Sequence, residues 1–143
     1  MSRQRSRARR LALQALYRWQ MTGEDIGGIV NDFLADHRDE KFDQALFRDL
    51  VHGVPARLDE IDNLLGEFVD RPVEKLDEVE RALLRAATWE LLERLETPYR
   101  VVINEAVELA KAFGAEQSHK YVNGVLDKVA HKVRPVETAA RRG

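Results

Sequence analysis

The stretch RQRSRARRLALQALYRWQ, from Arg3 to Gln20, holds six arginines and no carboxylate. A guanidinium grips phosphate through paired planar hydrogen bonds and stacks on flat rings. On a helix, Arg3, Arg7, Arg10, Gln14 and Arg18 recur at steps of three and four, and so form one stripe with Tyr17 at its edge. Ala8, Ala12, Ala15, Leu16 and Trp19 take the opposite side. Arginines stacked without acids repel by a few tenths of a kcal/mol per pair, and cations at a helix N-terminus oppose its dipole. An external polyanion would relieve both. Two other readings stand beside this one: a solvated basic face, or arms that meet the chain's own acidic residues. A membrane-surface helix would carry bulky apolar residues opposite the arginines, whereas the alanine-rich side here suits close helix packing.

A second stretch, SHKYVNGVLDKV from Ser118 to Val129, offers His119, Lys120 and Asn123 near a helix start, where free backbone N–H groups favour phosphate. Tyr17 and Tyr121 could each offer a ring to an unstacked base, which points to single-stranded RNA ahead of duplex DNA. The plainer account of both is half-buried packing with a wet hydroxyl. Gly124 costs about 1 kcal/mol in mid-helix relative to alanine, so a neighbouring helix or a ligand should approach it closely.

Nothing comparable supports catalysis. Histidines 37, 52, 119 and 131 show no His-x-x-x-His spacing, and the single Glu-x-x-His match, Glu116 to His119, lacks the second such pair that a helical di-iron site needs. Ser118 and His119 diverge as neighbours on a helix. Glu105 and Glu108 read as a surface pair beside Lys111, and no phosphate-binding glycine loop is present. The expectation is a non-enzyme with no catalytic residue, metal or cofactor.

The elements that must position these residues are helical throughout. The chain has 143 residues, enough for one domain without disulfide or metal. It has no cysteine and no apolar run near the ~20 residues of a membrane span, which points to the cytoplasm. Its net charge is −2, yet residues 1–20 and 117–143 are basic and the middle is acidic. Apolar spacing gives an all-α fold of about seven helices. The first runs from Arg5 or Arg7 to Met21. The second follows Asp25, with Ile26, Ile29, Val30, Phe33 and Leu34 inward. The third spans Phe42–His52, and Gly53-Val54-Pro55 breaks or bends the chain there, although Pro55 can also sit in the first turn of a continuing helix. The fourth carries Leu58, Ile61, Leu64, Leu65 and Phe68 and stops before Pro72. The fifth begins after an Asp77 N-cap with Glu80 three residues on, and Thr97-Pro98 ends it. The sixth carries Val102 to Phe113 and stops at Gly114 as a C′ residue. The seventh starts at an Ser118 N-cap and closes at Arg134-Pro135. Residues 1–134 form the domain, with N-terminal helices over about 5–70 and C-terminal helices over about 77–134. Residues 135–143 are expected to be a flexible tail.

These residues resemble the NusB family of transcription antitermination factors. The most specific piece is VVINEAVELAKAFGAEQSHKYVNGVLDKV, Val101 to Val129, supported by ARRLALQALYRWQ, FRDLVHGV and ERALLRAATWELLER in the same order. The resemblance implies two small helical bundles packed across one another. It implies that the protein works with NusE, a small-subunit ribosomal protein, on boxA-type single-stranded RNA. The complex would join RNA polymerase and other Nus factors to suppress termination, notably in ribosomal RNA operons. By resemblance, RNA binding falls on Arg5, Arg7, Arg9 and Arg10 with Tyr17, and on Ser118, Lys120, Tyr121 and Asn123. The stripe adds Arg3. An acidic surface would attract a basic NusE, with Glu80, Glu90 and Glu93 of the fifth helix as the expected contact. A related domain fronts an RNA cytosine methyltransferase family, and the chain is read as the freestanding factor. Monomer and homodimer both stay open. The rival function is a protein-only scaffold whose basic arm docks on an acidic partner.

Overall fold

The computed structural model describes residues 2–142, with the backbone alone at 141 and 142. Eight α-helices account for most of them: α1 Arg3–Thr22, α2 Ile26–Asp36, α3 Gln44–Ala56, α4 Leu58–Gly66, α5 Glu78–Glu93, α6 Tyr99–Phe113, α7 Ser118–Val133 and α8 Pro135–Arg142, with a 3-10 turn at Val73–Lys75. There is no strand among the described residues. No helix is long and apolar enough to cross a membrane.

Local chemistry explains most boundaries. Ser2 caps α1 by accepting from the Arg5 N–H at 3.2 Å. Gly23, at φ 69°, ends it in the left-handed conformation that a Cβ disfavours. Asp25, Asp43 and Asp77 cap α2, α3 and α5 through their carboxylates.

α5 is the centre of the fold. It packs on α1, α3, α4, α6 and α7, and every residue from Ala82 to Leu91 except Ala86 is buried. A charge on the enclosed part of such a helix must find a partner inside.

Several expectations are corrected. Gly53-Val54-Pro55 does not break the third helix. α3 runs through Pro55 to Ala56, and Pro55 gives up one backbone hydrogen bond near the end of the helix. Gly53 serves packing: a Cβ there would lie 2.2 Å from Trp89 Nε1. Ser118 is the first residue of α7, and Gln117 holds the cap position. Gly114 ends α6 in an extended conformation at φ −90°, ψ 178°. The stretch from Pro135 forms α8, with Gly143 outside the described residues. Arg134 anchors it: its guanidinium donates to the carbonyls of Leu91 (3.0 Å), Thr97 (2.5 Å), Arg94 (2.8 Å) and Glu90 (3.2 Å). One buried side chain thus ties together the C-terminal end of α5 and the turn that follows it.

Candidate nucleic-acid interface

The six arginines of α1 meet three fates. Arg9 is buried, 7% exposed, as are Glu90 at 2% and Glu105 at 9%. Arg9 Nε and Nη2 donate to the two oxygens of Glu90 at 2.7 and 2.9 Å, and Nη1 donates to Glu105 at 2.8 Å. Ser6 Oγ donates to the same Glu105 oxygen at 2.6 Å. Burial by itself lowers the Arg9 pKa, but the bonds and charges of the two carboxylates outweigh it and hold the group above its ordinary value. Three expectations fall here. Arg9 is not placed to touch RNA, Glu90 is not placed to touch a protein partner, and Glu105 is not a surface carboxylate.

Arg18 is occupied at the surface. It forks into Glu24 at 2.9 and 2.8 Å and reaches Asp32 at 2.9 Å. Arg18, with help from the Thr22 hydroxyl, holds the Glu24 carboxyl down to about 2. For Arg9 and Arg18, the reading in which arginines meet the chain's own acids is the correct one.

The third group faces outward. Arg3, Arg5, Arg7 and Arg10 are exposed. Arg5 lies 3.8 Å from Asp43, a loose surface pair of little energetic weight. Arg7 donates to the Lys41 carbonyl at 3.0 Å. Among the described residues no carboxylate pairs with Arg3 or Arg10. Arg3, Arg7 and Arg10 line a groove between α1 and α6. Arg10 lies over the Phe113 ring, 5.0 Å from its centre, the geometry of a cation–π contact.

Phe113 is a residue that the sequence reading assigned to apolar packing. It is 37% exposed, and Tyr17 is 40% exposed. The two lie along one apolar groove with Leu13, Gln14 and Val79. The signal was available: Phe113 is the last residue of its helix, where an apolar face runs out of neighbours.

The α7 residues do not form one cluster. Ser118 is buried, 2% exposed, and donates to Glu80 Oε2 at 2.7 Å. It is a strut between α7 and α5, not an RNA contact, and Glu80 is half-buried and engaged by it. Glu93 is exposed and paired with Arg57. Lys120 and Asn123 are exposed. Asn123 overlooks a polar furrow shared with Asn104 and Arg100 of α6. Tyr121 is half-buried: its hydroxyl donates to Asp70 Oδ1 at 2.9 Å and accepts from the Asp70 N–H at 3.2 Å. Burial pushes the phenol pKa up, the Asp70 N–H opposes it, and the bond to the Asp70 carboxylate adds to the rise. Gly124 has nothing within 4 Å of a built Cβ, so the expected neighbouring helix is absent.

The two basic ends are linked through Phe113 of α6 and through α5. Arg10 touches Phe113, Phe113 shares its groove with Tyr17 and Val79, and Glu80, next along α5, holds Ser118 at the start of α7. Lys120 follows within the same turn. Outward arginines and two exposed rings thus lie along one edge, and the start of α7 is tied to it through α5. Among the described residues no group of three His, Cys, Asp or Glu side chains could hold a metal.

This geometry has known relatives. The sequence pattern of the NusB family matches residues 6–131. The chain belongs to the NusB family. It is 54% identical over 141 residues to the transcription antitermination protein NusB of Nitrosococcus oceani, covering 99% of this chain and 95% of that one. It is 52% identical to the Marinomonas NusB over 143 residues, covering 99% and 82%. In structure it is similar to T. maritima NusB, at TM-score 0.82 and 34% identity over 92% of this chain and 94% of that one. It is also similar to a chain of the antitermination factors NusB and NusE in complex with double-stranded RNA, at TM-score 0.84 and 28% identity, covering 92% and 99%. The most specific NusB-like stretch, Val101–Val129, builds α6, the connecting turn and most of α7. It therefore supplies both Phe113 and the Ser118 strut that join the two ends of the interface.

Proposed function

We propose that this protein is an RNA-binding transcription antitermination factor of the cytoplasm. With NusE it takes boxA-type single-stranded RNA along the edge described above and helps suppress termination, notably in ribosomal RNA operons. The observation that carries this reading is the convergence of outward arginines and exposed rings on one edge, in a chain of the NusB family. Arg3, Arg5, Arg7 and Arg10 track phosphates, Lys120 adds a cation at the start of α7, and Tyr17 offers a base its ring. Asn123 stands as a polar contact at the far margin. The chemistry is binding alone: an adaptor that positions RNA for RNA polymerase and the other Nus factors.

NusE meets the acidic middle of the chain, where Glu93 is the remaining carboxylate of the expected contact. Helices α1–α4 and α5–α7 are read as two small bundles, and α5 joins them. The RNA in the structurally similar NusB–NusE complex is double-stranded. Single strands are favoured here because exposed rings engage unstacked bases.

The test is a titration of boxA-type single-stranded RNA against a scrambled strand and a duplex, with and without NusE, at two salt concentrations, with light scattering to assign monomer or homodimer. The reading expects boxA preference, tighter binding with NusE, and a log–log salt slope of roughly −3 for four or five phosphates. Equal, weak, wholly salt-driven binding to every strand would leave only a basic patch and favour the protein-only scaffold.

A further inference from the structure

Arg71 belongs to the acidic middle of the chain and to neither basic end, yet it is held in a pose suited to a ligand. Its guanidinium lies over the Tyr121 ring, 5.6 Å from the centre. Its Nε and Nη2 fork into the carboxylate of Asp70 at 2.8 and 3.0 Å. Asp70 also fixes the Tyr121 hydroxyl, accepting from it at 2.9 Å while the Asp70 N–H donates back at 3.2 Å. One aspartate therefore sets both the ring and the cation above it.

Three features separate this from an ordinary surface ion pair. Asp70 and Arg71 are adjacent in sequence, so their pairing joins no two elements and adds little to the fold. The Arg71 side chain keeps 47% of its surface exposed. Its Nη1 makes no hydrogen bond among the described residues. The half-buried Tyr121 ring packs against the core and acts as a base plate for a flat cation. A nucleobase has the matching flat face, and a phosphate oxygen could take the idle Nη1.

We propose that Arg71 is an RNA-binding residue that stacks an unpaired base on its outer face, with Tyr121 beneath it as support and not itself the stacking surface. The inference rests on the RNA-binding reading above. It extends the interface past the α7 helix start to the loop after α4. Asp70 is a positioning residue, because it fixes the guanidinium plane before the base arrives.

The experiment titrates the full-length protein and its Arg71→Ala and Arg71→Lys variants with a fluorescent single-stranded RNA of mixed sequence, alone and with NusE, at several salt concentrations. Circular dichroism melting confirms that each variant is folded. Arg71→Ala should weaken binding roughly 5- to 150-fold, the range of one base–aromatic stack. Arg71→Lys keeps the charge and loses the plane, so it should lose most of the same affinity. A lysine variant that binds like the wild type would show a bare point charge and overturn the stacking role. An alanine variant that binds like the wild type would remove Arg71 from the interface altogether. A wild-type protein that binds no RNA under any condition would instead end the RNA-binding reading itself.

Discussion

Arg9→Ala separates the two roles an arginine in α1 could have. In the structure Arg9 makes three charge-assisted hydrogen bonds to Glu90 and Glu105, and all three residues are at most 9% exposed. Alanine would leave two carboxylates inside the protein without a cation, and Ser6 as the one remaining donor to Glu105. Removing one partner of such a buried cluster costs about 3–5 kcal/mol. With a urea dependence of about 2 kcal/mol per molar for a chain of this size, the midpoint should fall by roughly 1.5–2.5 M. A thermal melt should drop by on the order of 10–20 °C. The control is the triple variant Arg9→Met, Glu90→Met, Glu105→Met, which removes every charge together. It should recover most of the loss, because apolar replacement of a whole buried cluster is commonly neutral or stabilising. Equilibrium urea unfolding followed by circular dichroism reads both. If Arg9→Ala unfolds within about 1 kcal/mol of the wild type while losing RNA affinity as Arg7→Ala does, the guanidinium faces outward and the argument from burial is refuted.

Other consequences are measured in the same way. Two mid-helix glycines should respond oppositely to alanine. Gly53→Ala drives a Cβ to 2.2 Å from Trp89 Nε1 and should destabilise by about 1–3 kcal/mol, whereas Gly124→Ala enters open space and should stabilise by about 0.5–1 kcal/mol. Equal signs in the two urea curves would contradict the α3–α5 packing. Arg134→Ala removes a buried donor to the carbonyls of Glu90, Leu91, Arg94 and Thr97 and should cost about 3 kcal/mol, with faster amide exchange in α8. Glu24 titrates at about 2 because of Arg18 and Thr22. Its folded pKa is depressed, so its contribution to stability is present above the ordinary carboxylate range and is lost as pH falls toward 2. An NMR titration should find that midpoint in the wild type and an ordinary one in Arg18→Ala, and identical midpoints would remove the ion pair from solution.

The helices were legible because their signals are local. Caps at Asp25 and Asp77 lie immediately before the helices they start, and the inward residues of α5 and α7 follow the 3.6-residue period. What failed was the reading of breakers. Pro135 closes α7 as expected but also opens α8, and Gly53-Val54-Pro55 does not break α3, whose last turn holds Pro55. Proline is compatible with a first helical position. Whether a helix continues beyond it depends on what the next turns can bury, and here Thr138 and the Arg134 guanidinium supply that interior contact.

The site was half legible for a different reason. A stripe of arginines says which side of a helix is basic, but the fate of each charge depends on what lies opposite. Even so, the buried cluster left traces. At 100° per residue Arg9 falls about 20° from Leu16 and about 40° from Leu13, on the inward side and not on the stripe. Glu90 is one heptad from Leu83, and Glu105 lies between Val102 and Leu109 on the same helix face. All three are charges at positions the period assigns to the core. Residues of opposite sign at core positions of separate helices must find one another or not be ionised, so their presence on α1, α5 and α6 already implies that these three helices meet. Read this way, Arg9 ceases to be a spare phosphate contact. It becomes the pin that fixes the register of α1 against α5 and α6, and so determines where Arg3, Arg7 and Arg10 come to lie along the groove beside Phe113.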